Sequence, residues 1–117
     1  MRIIPPSVHR ALDLVTVAIF ALAPILLRLS GPPAYLSYAL AAIHLLLTLG
    51  TKFPDVGARP VPLKLHGIVE LVVGIVLLVL PWIVGWVGTP RVYYSAMGVI
   101  ILVVWALSKY DHVHRDE

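Results

Sequence analysis

The sequence predicts an all-α integral membrane protein, a single domain spanning residues 1–117 and forming a four-helix bundle. The first observation is composition, because 60% of residues are hydrophobic and 13% charged, whereas about 25% are charged in soluble domains. The second is a set of four apolar stretches whose helices, at ~1.5 Å per residue, approach the ~30 Å hydrocarbon core of a bilayer. The third is an internal repeat. A chain with so few polar side chains cannot cover a water-facing surface, so we expect the bilayer to surround it.

The repeat aligns residues 9–54 with residues 66–111 at a constant offset of 57 positions and without a gap. Ten of the 46 aligned positions are identical. They include His9 and His66, Pro24 and Pro81, Gly31 and Gly88, Pro33 and Pro90, and Lys52 and Lys109. Each copy holds two apolar stretches, so the repeating unit is a helical hairpin. Two tandem hairpins share one orientation, which predicts a pseudo-twofold axis along the membrane normal.

The first hairpin is predicted from apolar residues 11–29 and 35–50. Between them lies Ser30-Gly31-Pro32-Pro33, a tight turn in which proline ends one helix and starts the next. Pro24 falls inside the first stretch and predicts a kink there.

The second hairpin is predicted from apolar residues 67–87 and 92–108, joined by a turn at Gly88-Thr89-Pro90. The linker 55–65 contains glycine and two prolines, so we expect an extended strap and not a helix. Residues 112–117 form a polar tail with His112 and His114, for which we expect a solvated end.

Lysine and arginine lie mainly on one side of the predicted bundle. The N-terminal arm, the linker and the tail carry seven of them, whereas the two hairpin turns carry only Arg28 and Arg91. Because positive loops stay on the cytoplasmic side, we expect both termini to be cytoplasmic. We therefore expect a protein that crosses the membrane several times.

Several function classes are excluded by the composition. The chain has no cysteine, which rules out disulfides, thiolate catalysis and cysteine-ligated metal clusters. No catalytic Ser-His-Asp set, phosphate-binding glycine loop or zinc-protease motif is present. The net charge of +3 comes from scattered residues, so we expect no nucleic-acid partner.

The strongest candidates for a polar or ion site are His9 with Asp13 and His66 with Glu70. Each pair has i, i+4 spacing, which puts both side chains on one helix face. Ionisable residues inside membrane helices are costly and therefore point to a function with a specific partner. Three interpretations remain open. The pairs form a divalent transition-metal site, or a proton relay, or each carboxylate accepts a hydrogen bond from its own histidine or caps a neighbouring backbone and so locks hairpin to hairpin.

Three further residues are candidates for contact with a ligand or partner. His44 lies within the second apolar stretch, and Ile101 occupies the matching place in the second copy. Such a histidine can ligate haem or a pigment, although a haem bundle usually offers a second histidine at similar depth, and the sequence shows none. Trp82 and Trp86 also belong to one copy alone, and tryptophan is typical of the membrane interface.

The order of a histidine and acid, an apolar run, and then Leu80-Pro81-Trp82 resembles the SPW-repeat family of small prokaryotic membrane proteins. That family is built from two copies of a two-helix unit marked by Ser-Pro-Trp. In this chain Leu80 stands in place of the serine, and the first copy reads Ala23-Pro24-Ile25. The resemblance implies a fold and a prokaryotic cytoplasmic (inner) membrane as the location, and it implies no reaction.

These observations favour a non-enzymatic structural or accessory membrane protein, packed as a homo-oligomer or as a small subunit of a larger membrane complex. The alternative is a small transport protein that handles protons or cations through the paired histidines and acids. A third hypothesis is a metal- or pigment-binding subunit. The sequence identifies no particular metal or other cofactor.

Overall fold

The computed structural model describes residues 2–54 and 57–110. In this part of the chain, four helices and two short strands follow one another: α1 (Pro6–Leu26), α2 (Pro32–Gly50), β1 (Thr51–Lys52), β2 (Val61–Pro62), α3 (Leu63–Val84) and α4 (Thr89–Leu107). All four helices are long and apolar enough to cross a membrane, as the sequence predicts. The polar tail 112–117 lies outside the described residues.

Proline and glycine define the hairpin turns. Prolines occupy the first turn of α1, α2 and α4, where a missing amide hydrogen costs no helical bond. Gly31 and Gly88, which precede α2 and α4, have φ angles of 62° and 66°, a backbone conformation that side chains disfavour. Both turns therefore form where the Gly-Pro pattern predicts them.

The helices begin earlier than the apolar stretches of the sequence. α1 starts at Pro6 and α3 at Leu63, whereas hydropathy placed the spans at 11–29 and 67–87. The reason is that the first turns carry buried polar residues, which lower local hydropathy although they face the bundle interior. α2 and α4 begin and end 57 positions apart.

Helices pack most closely within each hairpin, α1 against α2 and α3 against α4. Gly98 on α4 makes the tightest approach, because a Cβ added there would lie 2.6 Å from the backbone nitrogen of Leu78 on α3. The interior toward the hairpin turns is filled by Phe20, Leu77, Tyr94 and other buried side chains. On the outside, large apolar residues are exposed along all four helices, which suits a lipid environment.

Two short parallel pairings join chain segments at the end of the bundle away from the hairpin turns. β1 pairs with β2 within the linker, through Thr51 and Val61. Ile4 pairs with Ser108 in the same parallel sense, so the N-terminal arm joins the segment after α4. Ile4 lies 57 positions before Val61, and Ser108 lies 57 positions after Thr51. The two pairings are therefore equivalent under the repeat. Residues 57–62 of the linker are not helical, as predicted, whereas residues 63–65, which the prediction assigned to the linker, are the first residues of α3.

Candidate metal centre

Five buried polar residues meet inside the bundle, at the end that carries the N-terminus and the linker. We call them the polar cluster. α1 contributes the first pair, α3 the second, and α2 a single histidine. The members and their exposed fractions are His9 (1%), Asp13 (2%), His44 (6%), His66 (0%) and Glu70 (3%).

The shortest contacts in the polar cluster run between the hairpins. His9 Nε2 lies 2.8 Å from Glu70 Oε1, and His66 Nε2 lies 2.9 Å from Asp13 Oδ2. Within each helix the histidine–carboxylate distance is 3.2 Å. Each carboxylate therefore contacts the histidine of the other hairpin as well as its own, because the i, i+4 side chains point to the bundle axis, where the opposite helix also lies.

His44 belongs to the same cluster. Its Nε2 lies 3.5 Å from Asp13 Oδ1 and 3.8 Å from Glu70 Oε2. The repeat does not connect His44 with the two histidine–acid pairs, because Ile101 occupies the matching position. Asp13 and His44 lie at similar distances from the hairpin turn. Asp13 precedes the last residue of α1 by 13 positions and His44 follows the first residue of α2 by 12. This spacing places the two side chains at similar depth on neighbouring helices.

The ring nitrogens that face the cluster lack hydrogen bonds of acceptable geometry. Among the described residues, this holds for Nε2 of His9, His44 and His66, and also for Oδ2 of Asp13. A buried polar atom without a hydrogen bond costs about 1–3 kcal/mol. The four atoms are satisfied either by protonated histidines, which turn the contacts of 2.8–3.8 Å into ion pairs, or by a bound cation.

The tautomer of His66 follows from its outer nitrogen. Thr51 Oγ1 donates its one hydrogen to the carbonyl oxygen of Leu47 at 2.6 Å, so it accepts a hydrogen bond from Nδ1 of His66 at 2.7 Å. A neutral His66 then presents the lone pair of Nε2 to the carboxylates. Two facing lone pairs repel unless a proton or a metal cation lies between them. Metal-binding histidines are commonly held by a hydrogen bond from their other nitrogen.

The spacing of the ligand atoms fits a single ion. Metal–ligand bonds of about 2.1 Å place adjacent ligands about 3.0 Å apart in an octahedron and about 3.4 Å apart in a tetrahedron. The six histidine–carboxylate contacts of the polar cluster span 2.8–3.8 Å. Ligand atoms of His9, Asp13, His66 and Glu70 all lie within 4.8 Å of one another. One ion can therefore reach every member of that set.

Charge and donor type point to a divalent transition metal. Two buried carboxylates carry a charge of −2 when ionised, and a divalent ion with neutral imidazoles cancels that charge. Imidazole nitrogen with carboxylate oxygen suits zinc, iron or manganese, whereas calcium and magnesium prefer oxygen alone.

Two aromatic residues contact the polar cluster, Tyr110 through a hydrogen bond to Glu70 and Phe53 through its ring beside His66. The Tyr110 hydroxyl donates a hydrogen bond to Glu70 Oε1 at 2.7 Å. Burial, and then the nearby negative charge of Glu70, raise the pKa of Tyr110, so its phenol stays protonated and remains a donor. The Phe53 ring lies 5.4 Å from His66 and closes the cluster toward the linker.

Trp82 and Trp86 lie at the other end of the bundle. Trp82 is 59% exposed and has the guanidinium of Arg91 4.0 Å above its ring. Trp86 is half-buried, and its ring lies 5.3 Å from that of Tyr94. The sequence grouped them with His44 as ligand or partner candidates, but the structure separates them from the polar cluster.

Comparison with protein-family models, curated proteins and solved structures gave no match. The SPW-repeat resemblance therefore stays a prediction. What the polar cluster does has to be argued from its geometry.

Proposed function

We propose that this protein is a multi-pass membrane protein that holds one divalent transition-metal ion between its two hairpins. The observation that carries the proposal is the convergence of three imidazole nitrogens, each without a hydrogen bond of acceptable geometry, on two buried carboxylates. Ligands from α1, α2 and α3 then make the ion a bridge across the bundle.

The number of ligands supports a structural or accessory role and not catalysis. Structural metal sites have a closed ligand shell, whereas catalytic sites keep a position open for water or substrate. Five protein ligands leave little room for a substrate, and Phe53 and Tyr110 cover the site. We therefore propose a non-enzymatic protein that packs as a homo-oligomer or as a small subunit of a larger membrane complex.

Transport of protons or cations has less support. Beyond the polar cluster, toward the hairpin turns, the interior is occupied by Phe20, Leu77, Tyr94 and Met97, each no more than 3% exposed. An ion that leaves the cluster in that direction would have to cross this apolar core without hydration, at high cost.

The proposed setting is a prokaryotic cytoplasmic membrane, with both termini in the cytoplasm and a pseudo-twofold axis along the membrane normal. Its support is the excess of lysine and arginine at the end with the N-terminus and linker, together with the offset of 57 that relates helices, turns and pairings. In this orientation the polar cluster lies in the cytoplasmic half of the membrane.

Metal analysis tests the proposal. Protein purified in mild detergent, loaded separately with manganese, iron, cobalt or zinc and then desalted, is expected to retain about one ion per chain for at least one metal. The His9→Gln/His66→Gln variant is expected to retain little. Tyr93→Phe is the matched control, because it removes a buried hydrogen bond to Ser37 far from the cluster and should bind metal like the wild type.

Cobalt adds a readout of the ligands themselves. Bound cobalt should show absorption bands typical of nitrogen and oxygen ligands, without sulfur. If the wild type retains no more of any metal than His9→Gln/His66→Gln does, the proposal is wrong. Asp13→Asn provides a second test if the histidine variant does not fold.

A further inference from the structure

A cavity of about 640 Å³ opens at the end of the bundle that holds the N-terminus, between the ends of α3 and α4. This size is typical of small-molecule sites. Its wall combines three basic side chains with aromatic and apolar groups. We call it the cationic pocket, lined by Arg2, Lys64, Gly67, Ile68, Trp105, Lys109 and Tyr110.

The cationic pocket is a property of the second hairpin and not of the fold in general. The matching region of the first hairpin encloses only about 70 Å³. There Arg10 stands 57 positions before Gly67, and its guanidinium lies 6.0 Å above the ring of Phe53. In the second hairpin, a Cβ on Gly67 would come within 2.9 Å of the Tyr110 ring. Glycine at position 67 lets the Tyr110 ring pack against α3, and the cationic pocket lies beside this contact.

The basic groups of the cationic pocket are available to a ligand. Nη1 of Arg2 donates to the carbonyl oxygens of Trp105 and Ser108, at 3.0 and 2.7 Å, which holds the guanidinium at the rim with other donors unused. Lys64 and Lys109 are exposed, and their ammonium groups make no hydrogen bond or ion pair within the described residues. Among those residues, the only acidic side chains belong to the polar cluster.

The position of the cationic pocket indicates that its ligand also has an apolar part. Ile68 is 58% exposed on the outer face of α3, and Trp105 lies one turn from the end of α4, stacked under Arg2 at 4.8 Å. Aromatic and cationic groups together mark the boundary between headgroups and acyl chains. A ligand here meets cations on its polar side and lipid on the other.

We infer that the cationic pocket binds the phosphate headgroup of an anionic lipid through Arg2, Lys64 and Lys109. This inference rests on the membrane insertion proposed above but does not depend on a bound metal. Free phosphate shares the same chemistry, and the experiment separates the two sources.

The experiment uses the full chain in nanodiscs of phosphatidylglycerol and phosphatidylcholine, extracted into detergent and analysed by native mass spectrometry for retained lipid. The wild type is expected to retain phosphatidylglycerol in preference to phosphatidylcholine. Lys64→Gln/Lys109→Gln is expected to reduce retention about tenfold or more, since each cation near the headgroups contributes to anionic lipid binding.

Lys52→Gln/Arg59→Gln is the matched control, because it removes two positive charges from the same end of the other hairpin, where the cavity is small. It should change retention less than about twofold. Equal losses in the two variants would mean diffuse surface attraction and would overturn the inference. Loss of the retained lipid in millimolar inorganic phosphate, with phosphate bound instead, would overturn the lipid assignment in favour of free phosphate.

Two readouts on the same samples keep this test separate from the proposed function. Metal content should be unchanged in Lys64→Gln/Lys109→Gln, because neither lysine touches the polar cluster. Carbonate extraction of membranes reports insertion itself. A protein that is inserted and metal-bound but shows no preference for phosphatidylglycerol would refute the pocket alone.

Discussion

Replacing Asp13 by asparagine separates a metal centre from a structural hydrogen-bond network, because the two predict opposite signs for stability without metal. The substitution keeps the shape of the side chain and removes one of two buried negative charges. Ligand oxygens of Asp13 and Glu70 lie within 4.8 Å of each other. Two unit charges at that distance repel by about 3.5 kcal/mol at an effective dielectric constant near 20.

In the presence of a chelator, Asp13→Asn should therefore unfold at the same temperature as the wild type or at a higher one. This expectation holds for neutral histidines, so the measurement is made at alkaline pH, because a protonated His9 or His66 would pair with the carboxylates and reverse the sign. With metal at 100 times the dissociation constant, the wild type gains about 2.7 kcal/mol, which corresponds to a rise of about 10 °C in a chain of this size. The variant should gain much less, because it has lost a charged ligand.

The assay is thermal unfolding in detergent, followed by the fluorescence of the three tryptophans, with chelator and with each metal. Tyr93→Phe is the control, and its unfolding temperature should fall by the same amount in both conditions. A network of histidine–carboxylate bonds predicts instead that Asp13→Asn loses about 3–5 kcal/mol with or without metal. That result, with no metal-dependent rise in the wild type, would refute the metal centre.

Three other outcomes are expected. His44→Leu should weaken metal binding at least about tenfold in a competition titration, whereas unchanged affinity would limit the ligands to α1 and α3. Gly98→Ala should destabilise the bundle by about 1–3 kcal/mol through overpacking against Leu78, and equal unfolding temperatures would show that α3 and α4 separate easily. Because the chain has no cysteine, Ser30→Cys should react with an impermeant maleimide in intact cells and Ser7→Cys only after lysis. The reverse pattern would invert the orientation.

Much of the fold follows from the sequence alone. Apolar runs of sufficient length predict four helices, and the Gly-Pro pairs at Gly31 and Gly88 predict where the hairpins turn. The starts of α1 and α3 do not follow from hydropathy, because it treats a buried His9 or His66 like an exposed one. What a polar residue faces depends on its neighbours in space, and these become known only when the hairpins are assembled.

The candidate site was predicted in part. Spacing of four identified the two histidine–acid pairs, because that periodicity is local and belongs to one helix. The contacts between His9 and Glu70 and between His66 and Asp13 join residues more than 50 positions apart, so no local pattern reports them. The repeat does not predict that His44 joins the pairs, because the matching position in the second copy is Ile101.

Differences between the two copies carry the specific chemistry of this chain. The pairs present in both copies would supply four ligands to the proposed metal, and His44, which aligns with Ile101, would supply a third imidazole from one copy only. Arg10 and Gly67 differ in the same way, and the open side is where Tyr110 reaches the cluster. Its hydroxyl bonds Glu70 while its ring lines the cationic pocket, so a ligand that moves the ring also alters the support of a metal ligand. Any such coupling has to be reciprocal. If a bound headgroup weakens the bond between Tyr110 and Glu70 and so lowers the affinity for the metal, a bound metal lowers the affinity for the headgroup by the same factor.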